Sequence, residues 1–88
     1  MKINPKFKMR SLAGENVVFL QGKVDEETSK LISFNQTSVF LWNSLKDKDF
    51  SVEDVAELIL SQYEIDKDTA LRDAKEWVET LKTNNILL

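Results

Sequence analysis

The side chains that most often carry out catalysis are missing from this sequence of 88 residues. It contains no histidine and no cysteine, which removes the commonest general base, the thiolate nucleophile and the ligands of most transition-metal sites. The two glycines, Gly14 and Gly22, stand apart and form no phosphate-binding loop. We therefore expect a protein that is not an enzyme, with no catalytic residue, no metal site and no cofactor.

Carboxylates are the remaining candidates for chemistry. The acidic run at residues 25–27 lacks the spacing of a calcium-binding loop. Asp73 and Glu76 lie one turn apart on a predicted helix, where a carboxylate pair could in principle serve as acid and base. Because Arg72 and Lys75 lie beside them, we interpret this group as a solvated helix face and not as a catalytic pair.

Three apolar stripes with helical spacing dominate the second part of the chain. They span residues 39–45, 52–63 and 70–81, and within each the large apolar side chains recur every three or four residues. This period places the apolar side chains on one side of a helix. Trp42 and Trp77 fall on the stripes of their own helices, so we predict that both pack in the core.

Capping residues predict where these helices begin and end. Asn35 is a suitable N-cap for the first helix, and residues 51–54 have the pattern of a capping box ahead of the second. Asp66 or Asp68 is expected to cap the third. Asparagines at 84 and 85 favour the left-handed conformation that ends a helix.

The first third of the chain is predicted to form strands. Residues 7–12 and 17–20 have strand character, and residues 13–16 between them are typical of a turn. Residues 30–34 form the third strand, with Ile32 and Phe34 directed inward, after a polar loop at 25–29. Since all strands precede all helices, we predict one α+β domain over residues 1–88, with a three-stranded antiparallel sheet in 1–34 and three helices in 35–88 packed on one face.

Charge and hydropathy suggest a cytoplasmic protein with a basic front and an acidic body. Residues 1–24 carry five basic side chains and one acidic one, whereas residues 25–88 carry seven basic and fourteen acidic ones. No apolar run approaches the roughly 20 residues of a membrane span, so we expect no membrane association. The start of the chain also lacks a secretory signal.

A winged helix-turn-helix that binds DNA is one function compatible with this order of elements. A DNA reader needs lysine and arginine on its recognition helix. Residues 66–82 carry four basic and five acidic side chains, and residues 52–63 carry three acidic side chains and no basic one. The charges therefore argue against a nucleic-acid partner.

Capture of a peptide is the other function. A small sheet has edges with unpaired backbone groups, and an extended peptide can add there as a further strand. If the third strand lies at an edge, the third helix forms the opposite wall of a groove. Leu31 would then offer apolar surface, and the charge selectivity would come from four helix residues: Arg72, Lys75, Glu76 and Glu79. Which strand lies at the edge is left open by the sequence.

From Phe34 to its end the chain resembles the PqqD-like proteins, small peptide-binding chaperones also known as recognition elements for ribosomally synthesised and modified peptides. The matching segments begin with Phe-Asn-Gln-Thr-Ser at 34–38 leading into Val-Phe-Leu-Trp at 39–42, and they continue at 50–55, 63–66, 73–81 and 85–87. One departure is Phe34, where the family often has leucine. That exchange is conservative for a core position.

The resemblance implies a winged-helix-like, non-catalytic domain that binds the leader of a precursor peptide and presents it to a modifying enzyme, often a radical-SAM protein. In this family the leader pairs with the third strand and rests against the third helix. Carried to this chain, the implied peptide-binding residues are Lys30, Leu31, Ile32, Ser33, Phe34, Arg72, Lys75, Glu76 and Glu79. A domain that keeps the fold only for protein interaction or homodimerisation is a further alternative.

Overall fold

The computed structural model describes residues 1–20 and 30–88 of the protein. Three strands precede three helices there, which confirms the α+β order predicted from the sequence. The elements are β1 (Phe7–Leu12), β2 (Glu15–Leu20), β3 (Lys30–Phe34), α1 (Gln36–Leu45), α2 (Val52–Gln62) and α3 (Lys67–Thr83). The predicted polar loop at 25–29 lies outside the described residues.

The turn between β1 and β2 is shorter than predicted. Only Ala13 and Gly14 form it, with φ angles of 51° and 83°, and Glu15 already pairs with Leu12. Positive φ at both central residues is the geometry of the two-residue hairpin that matches the twist of a sheet. The prediction of a four-residue turn over 13–16 was wrong because strand pairing extends Glu15 and Asn16, whose residue types favour turns.

The sheet is antiparallel, and its strand order is β1-β2-β3. β2 therefore lies in the centre, and β1 and β3 are its two edges. Val17 lies opposite Ser33 and Val18 lies opposite Ile32. The register then shifts between Val18 and Phe19, which lies opposite Lys30, so that Leu31 is an additional residue in β3.

The core lies between one face of the sheet and the three helices. Phe7, Val18 and Phe34 reach it from the strands. Trp42 and Trp77 both join it, as predicted, with 3% and 8% of their surface exposed. Tyr63 does not, although it was assigned to an apolar stripe: it is 40% exposed, and its hydroxyl accepts a hydrogen bond from Thr37 Oγ1 at 3.0 Å.

Side-chain caps fix the helix starts, as the sequence predicted. Asn35 Oδ1 accepts a hydrogen bond from the Ser38 amide at 2.9 Å, and Asp66 Oδ1 accepts one from the Thr69 amide at 3.1 Å. The hydrogen bonds with Thr69 hold the pKa of Asp66 below its ordinary value. Ser51 forms the capping box of α2. The Asn35 cap starts α1 directly after the edge strand β3.

The last residues of the chain pack against its first residues. Asn85 has a φ of 57° and ends the helical run, which confirms its predicted role. The Asn4 amide then donates to the Ile86 carbonyl at 2.8 Å, and Ile3 and Ile86 are fully buried. These contacts close the core at the end of α3.

Candidate functional site

Within residues 1–20 and 30–88, β3 has a neighbouring strand on one side only. Its partner is β2, and no further strand of the described chain pairs with its other edge. An edge strand presents every second residue's N–H and C=O groups away from the sheet. The order of the strands thus places β3 at one edge of the sheet and β1 at the other.

The hairpin geometry indicates which residue of β3 points outward. In a two-residue turn the closing pair, Leu12 and Glu15, is hydrogen-bonded, and such pairs alternate along an antiparallel ladder. Counting along β2, Val18 then directs its backbone groups away from β1 and toward Ile32. Ile32 consequently bonds to β2, and the N–H and C=O groups of the next residue, Ser33, face the open edge.

Phe34 joins the end of β3 to the helices. Its ring lies 5.7 Å from the ring of Trp42 in an edge-to-face arrangement and 6.3 Å from the ring of Trp77 in a tilted one. Pairs in this distance range are attractive beyond the burial of their surface. Since Trp42 belongs to α1 and Trp77 to α3, the Phe34 ring fixes the position of the edge strand relative to both helices.

A cavity of about 280 Å³ lies where β3 passes into α1, between that helix and α3. Its walls combine polar and acidic side chains with two apolar ones. The lining residues are Asn35, Thr37, Ser38, Leu41, Asp73, Glu76, Trp77 and Thr80. We call it the α1–α3 cavity. Asn35 directly follows the edge strand β3, so the cavity lies at the end of that strand with α3 as one wall, and we call the outer edge of β3 together with this cavity the groove.

The α1–α3 cavity is acidic. Among the described residues, Asp73 and Glu76 are the only charged ones that line it, and both are exposed. Neither carboxylate has an ion-pair partner in residues 1–20 and 30–88. The cavity therefore combines two carboxylates that have no ion-pair partner in the described ranges with the apolar side chains of Leu41 and Trp77, which are 1% and 8% exposed.

The indole of Trp77 is a second unusual feature of this cavity. Its Nε1 is buried and has no hydrogen-bond acceptor within the part of the chain that the structure describes. Tryptophan N–H groups usually find a partner when they are buried, because an unpaired donor loses its hydration without compensation. Trp77, which lines the cavity, thus has a buried N–H donor with no acceptor among the described residues.

The residues predicted to bind peptide differ in burial and in whether they line a cavity. In β3, Ile32 is half-buried against the core, Ser33 is exposed and Phe34 is buried, while Lys30 and Leu31 contribute backbone to the strand. The four residues predicted on α3 are all exposed. Only Glu76 lines the α1–α3 cavity; with Glu79 it also lines a second one of about 380 Å³ nearer the end of α3.

Arg72 and Lys75 line neither of these two cavities. Conversely, the prediction did not include Asp73, Trp77 and Thr80, which share the cavity wall with Glu76. Counted from Asp73, the other three lie three, four and seven residues further along α3, and this spacing places all four on one flank of the helix. That signal was present in the sequence, but nothing there showed which flank of α3 faces β3.

Other features of the described residues do not add a reactive centre. A cavity of about 690 Å³ beside the loop between α1 and α2 is lined by Asp47, Asp49, Asp54 and Glu57 among others, away from β3. Across the described ranges no group of three or more histidine, cysteine or acidic side chains could hold a metal ion. No helix in them has the length and apolarity needed to cross a membrane.

Comparison with known proteins gives one family and two related structures. The model of the family described as coenzyme PQQ synthesis protein D (PqqD) matches residues 23–87. The structure described as TbiB1 in complex with the TbiA(beta) leader peptide has a TM-score of 0.73 at 20% identity, covering 99% of this chain and 94% of that one.

The structure described as lasso peptide synthetase B1 complexed with the leader peptide has a TM-score of 0.70 at 25% identity, covering 99% of this chain and 95% of that one. No curated protein matches the sequence. The predicted sheet followed by three helices is thus a known architecture, and the resemblance noted in the sequence is confirmed.

Proposed function

Because the chain belongs to the PqqD family, whose model spans residues 23–87, we propose that it is a non-catalytic domain that binds the leader segment of a ribosomally synthesised precursor peptide. The leader adds to β3 as a fourth strand. The bound leader is then presented to an enzyme that modifies the rest of the precursor. The observation that carries this proposal is the open edge of β3 beside α3, in a fold shared with two proteins solved with leader peptides.

Strand addition explains how a protein without histidine or cysteine can bind a peptide. The affinity comes from backbone hydrogen bonds, for which Ser33 supplies a donor and an acceptor, and the specificity comes from side-chain pockets beside the strand. Alternate residues of the added strand face the helices. They would contact α3 and the α1–α3 cavity, where Trp77 and Glu76 lie.

The predicted peptide-binding residues keep distinct roles in this proposal. Lys30, Leu31, Ile32, Ser33 and Phe34 form the strand to which the leader adds. Glu76 and Glu79 lie along the cavities of α3. Arg72 and Lys75 are exposed on the same helix but outside those cavities, so we assign them to contacts with more distant parts of the leader or with the enzyme.

The partner is a peptide-modifying enzyme, such as a radical-SAM protein or an enzyme of lasso peptide formation. The first follows from the family resemblance, and the second from the description of one structural neighbour as lasso peptide synthetase B1. We place the complex in the cytoplasm, where precursor peptides are synthesised. A homodimer formed through β3 would use the same edge and would therefore compete with the leader.

Titration of the 15N-labelled protein with a synthetic leader, taken from the precursor peptide encoded beside this gene, tests the proposal. We expect amide shifts in residues 32–34 and 73–80 and none in residues 53–57 of α2, because only the former adjoin the groove. A peptide of the same composition in scrambled order is the control. An unresponsive spectrum at saturating leader, or shifts confined to α2, would reject leader binding at this groove.

A further inference from the structure

The acidic α1–α3 cavity selects the chemistry of the leader that passes it. We propose that the bound peptide carries a lysine or arginine facing Asp73 and Glu76, two residues away along the peptide from an apolar side chain. This inference rests on the proposed function, and it specifies the class of peptide that the groove accepts. It does not follow from strand addition alone, which places no requirement on charge.

Charge is the first argument. Asp73 and Glu76 lie three residues apart on α3, so their carboxylates are neighbours on one flank of the helix. Like charges in this arrangement repel each other, and no lysine or arginine in residues 1–20 and 30–88 forms an ion pair with them. Arg72 and the three lysines of the same helix do not line the cavity. A cationic side chain from the peptide would supply the missing counter-charge.

The apolar wall of the cavity is the second argument. Leu41 and Trp77 lie beside the two carboxylates. Lysine and arginine have long apolar stems that pack on such surface while their charged ends reach polar groups. A short acidic or polar side chain would fill the cavity less well and would add repulsion. The combination of apolar wall and carboxylates thus matches a long cationic side chain.

Trp77 provides the third and independent argument. Its Nε1 is buried without an acceptor among the residues that are described. An added strand brings a main-chain carbonyl at every residue, and one that reaches this indole through the cavity that Trp77 lines would accept the hydrogen bond. The unpaired donor therefore favours an occupant that has a peptide backbone. The two carboxylates of the same cavity favour a cationic side chain on that occupant.

The period of a β-strand fixes the spacing in the peptide. Side chains on one face of a strand are two residues apart. A peptide residue that packs against the groove near Phe34 and the residue that reaches the cavity lie on the same face. The expected pattern is therefore an apolar residue and a lysine or arginine separated by one residue.

Selection from a displayed library of random peptides tests the inference with a defined probe. The wild-type protein should enrich peptides with this pattern, and the Asp73→Asn/Glu76→Gln variant should lose the preference for a cation. The Glu53→Gln/Glu57→Gln variant removes the same charge from the exposed side of α2 and should select the same peptides as the wild type. Enrichment without any lysine or arginine preference would overturn the inference and leave the proposed function standing.

Affinity and spectroscopy give the quantitative readout. Replacing the cation of the best selected peptide by norleucine, which keeps the stem, should weaken its binding by about fivefold or more to the wild type and by less than about twofold to Asp73→Asn/Glu76→Gln. The indole N–H resonance of Trp77 should shift on binding, with Trp42, which lines another cavity, as the internal reference. Equal losses in both proteins would overturn the inference, and a library without any enriched peptide would overturn the proposed function as well.

Discussion

Proline at Ser33 is expected to weaken leader binding by at least about tenfold while the domain stays folded. Proline has no amide hydrogen, and its ring occupies the space in which an added strand would lie. Our assignment places the Ser33 N–H on the open edge of β3, so its loss removes no hydrogen bond from the sheet. Calorimetric titration with the leader measures the change, and circular dichroism verifies that the variant is folded.

Two matched variants serve as controls. One separates the contribution of the Ser33 amide to leader binding from that of its side chain, and the other compares proline at the outer edge of β3 with proline on the side bonded to β2. Ser33→Ala keeps the amide and should bind within about twofold of the wild type, because strand addition uses the backbone. Ile32→Pro removes a bond to β2 and should unfold the sheet. A folded Ser33→Pro protein that binds like Ser33→Ala would show that the leader does not pair with this edge.

Replacing Phe34 by alanine is expected to destabilise the domain by about 3–5 kcal/mol, the usual cost of removing a buried phenylalanine. The reason is specific to this fold, since the ring contacts Trp42 of α1 and Trp77 of α3 and is 8% exposed. Small domains have little stability in excess of such a loss. We therefore expect a population of unfolded protein in the absence of urea.

Urea unfolding monitored by circular dichroism measures this effect, and Phe34→Leu is the control. Leucine keeps an apolar side chain at the position and should cost about 1–1.5 kcal/mol. If Phe34→Ala lowered the free energy of unfolding no more than Phe34→Leu does, the aromatic ring would not determine how β3 packs against the two helices. The position of the groove would then need another explanation.

Local chemistry made most of the fold predictable from the sequence. The apolar period of three and four residues located all three helices, and the caps at Asn35 and Ser51 located two of their starts to the residue, while the third was narrowed to Asp66 or Asp68. The bounds of β1 and β3 also match the prediction. These features depend on residues close together in the chain, so a short stretch of sequence contains the information that determines them.

Features that depend on contacts between distant segments were not predictable. The alternation in β3 predicted that Ile32 and Phe34 face inward, but the position of β3 at the edge follows from the pairing of three strands. Asp73 was recognised as one of a carboxylate pair on a solvated face. Its place beside Asn35 and Leu41 in one cavity depends on how α3 packs against α1, which periodicity does not specify.

Amide hydrogen exchange in β3, measured with and without saturating leader, tests most directly whether the leader adds to this strand. In the free protein the Ile32 and Phe34 amides should be protected by β2, and the Ser33 amide should exchange rapidly. Leader binding should slow exchange at Ser33 strongly and leave its two neighbours little changed. An unchanged exchange rate at Ser33 in the saturated complex would contradict strand addition at β3.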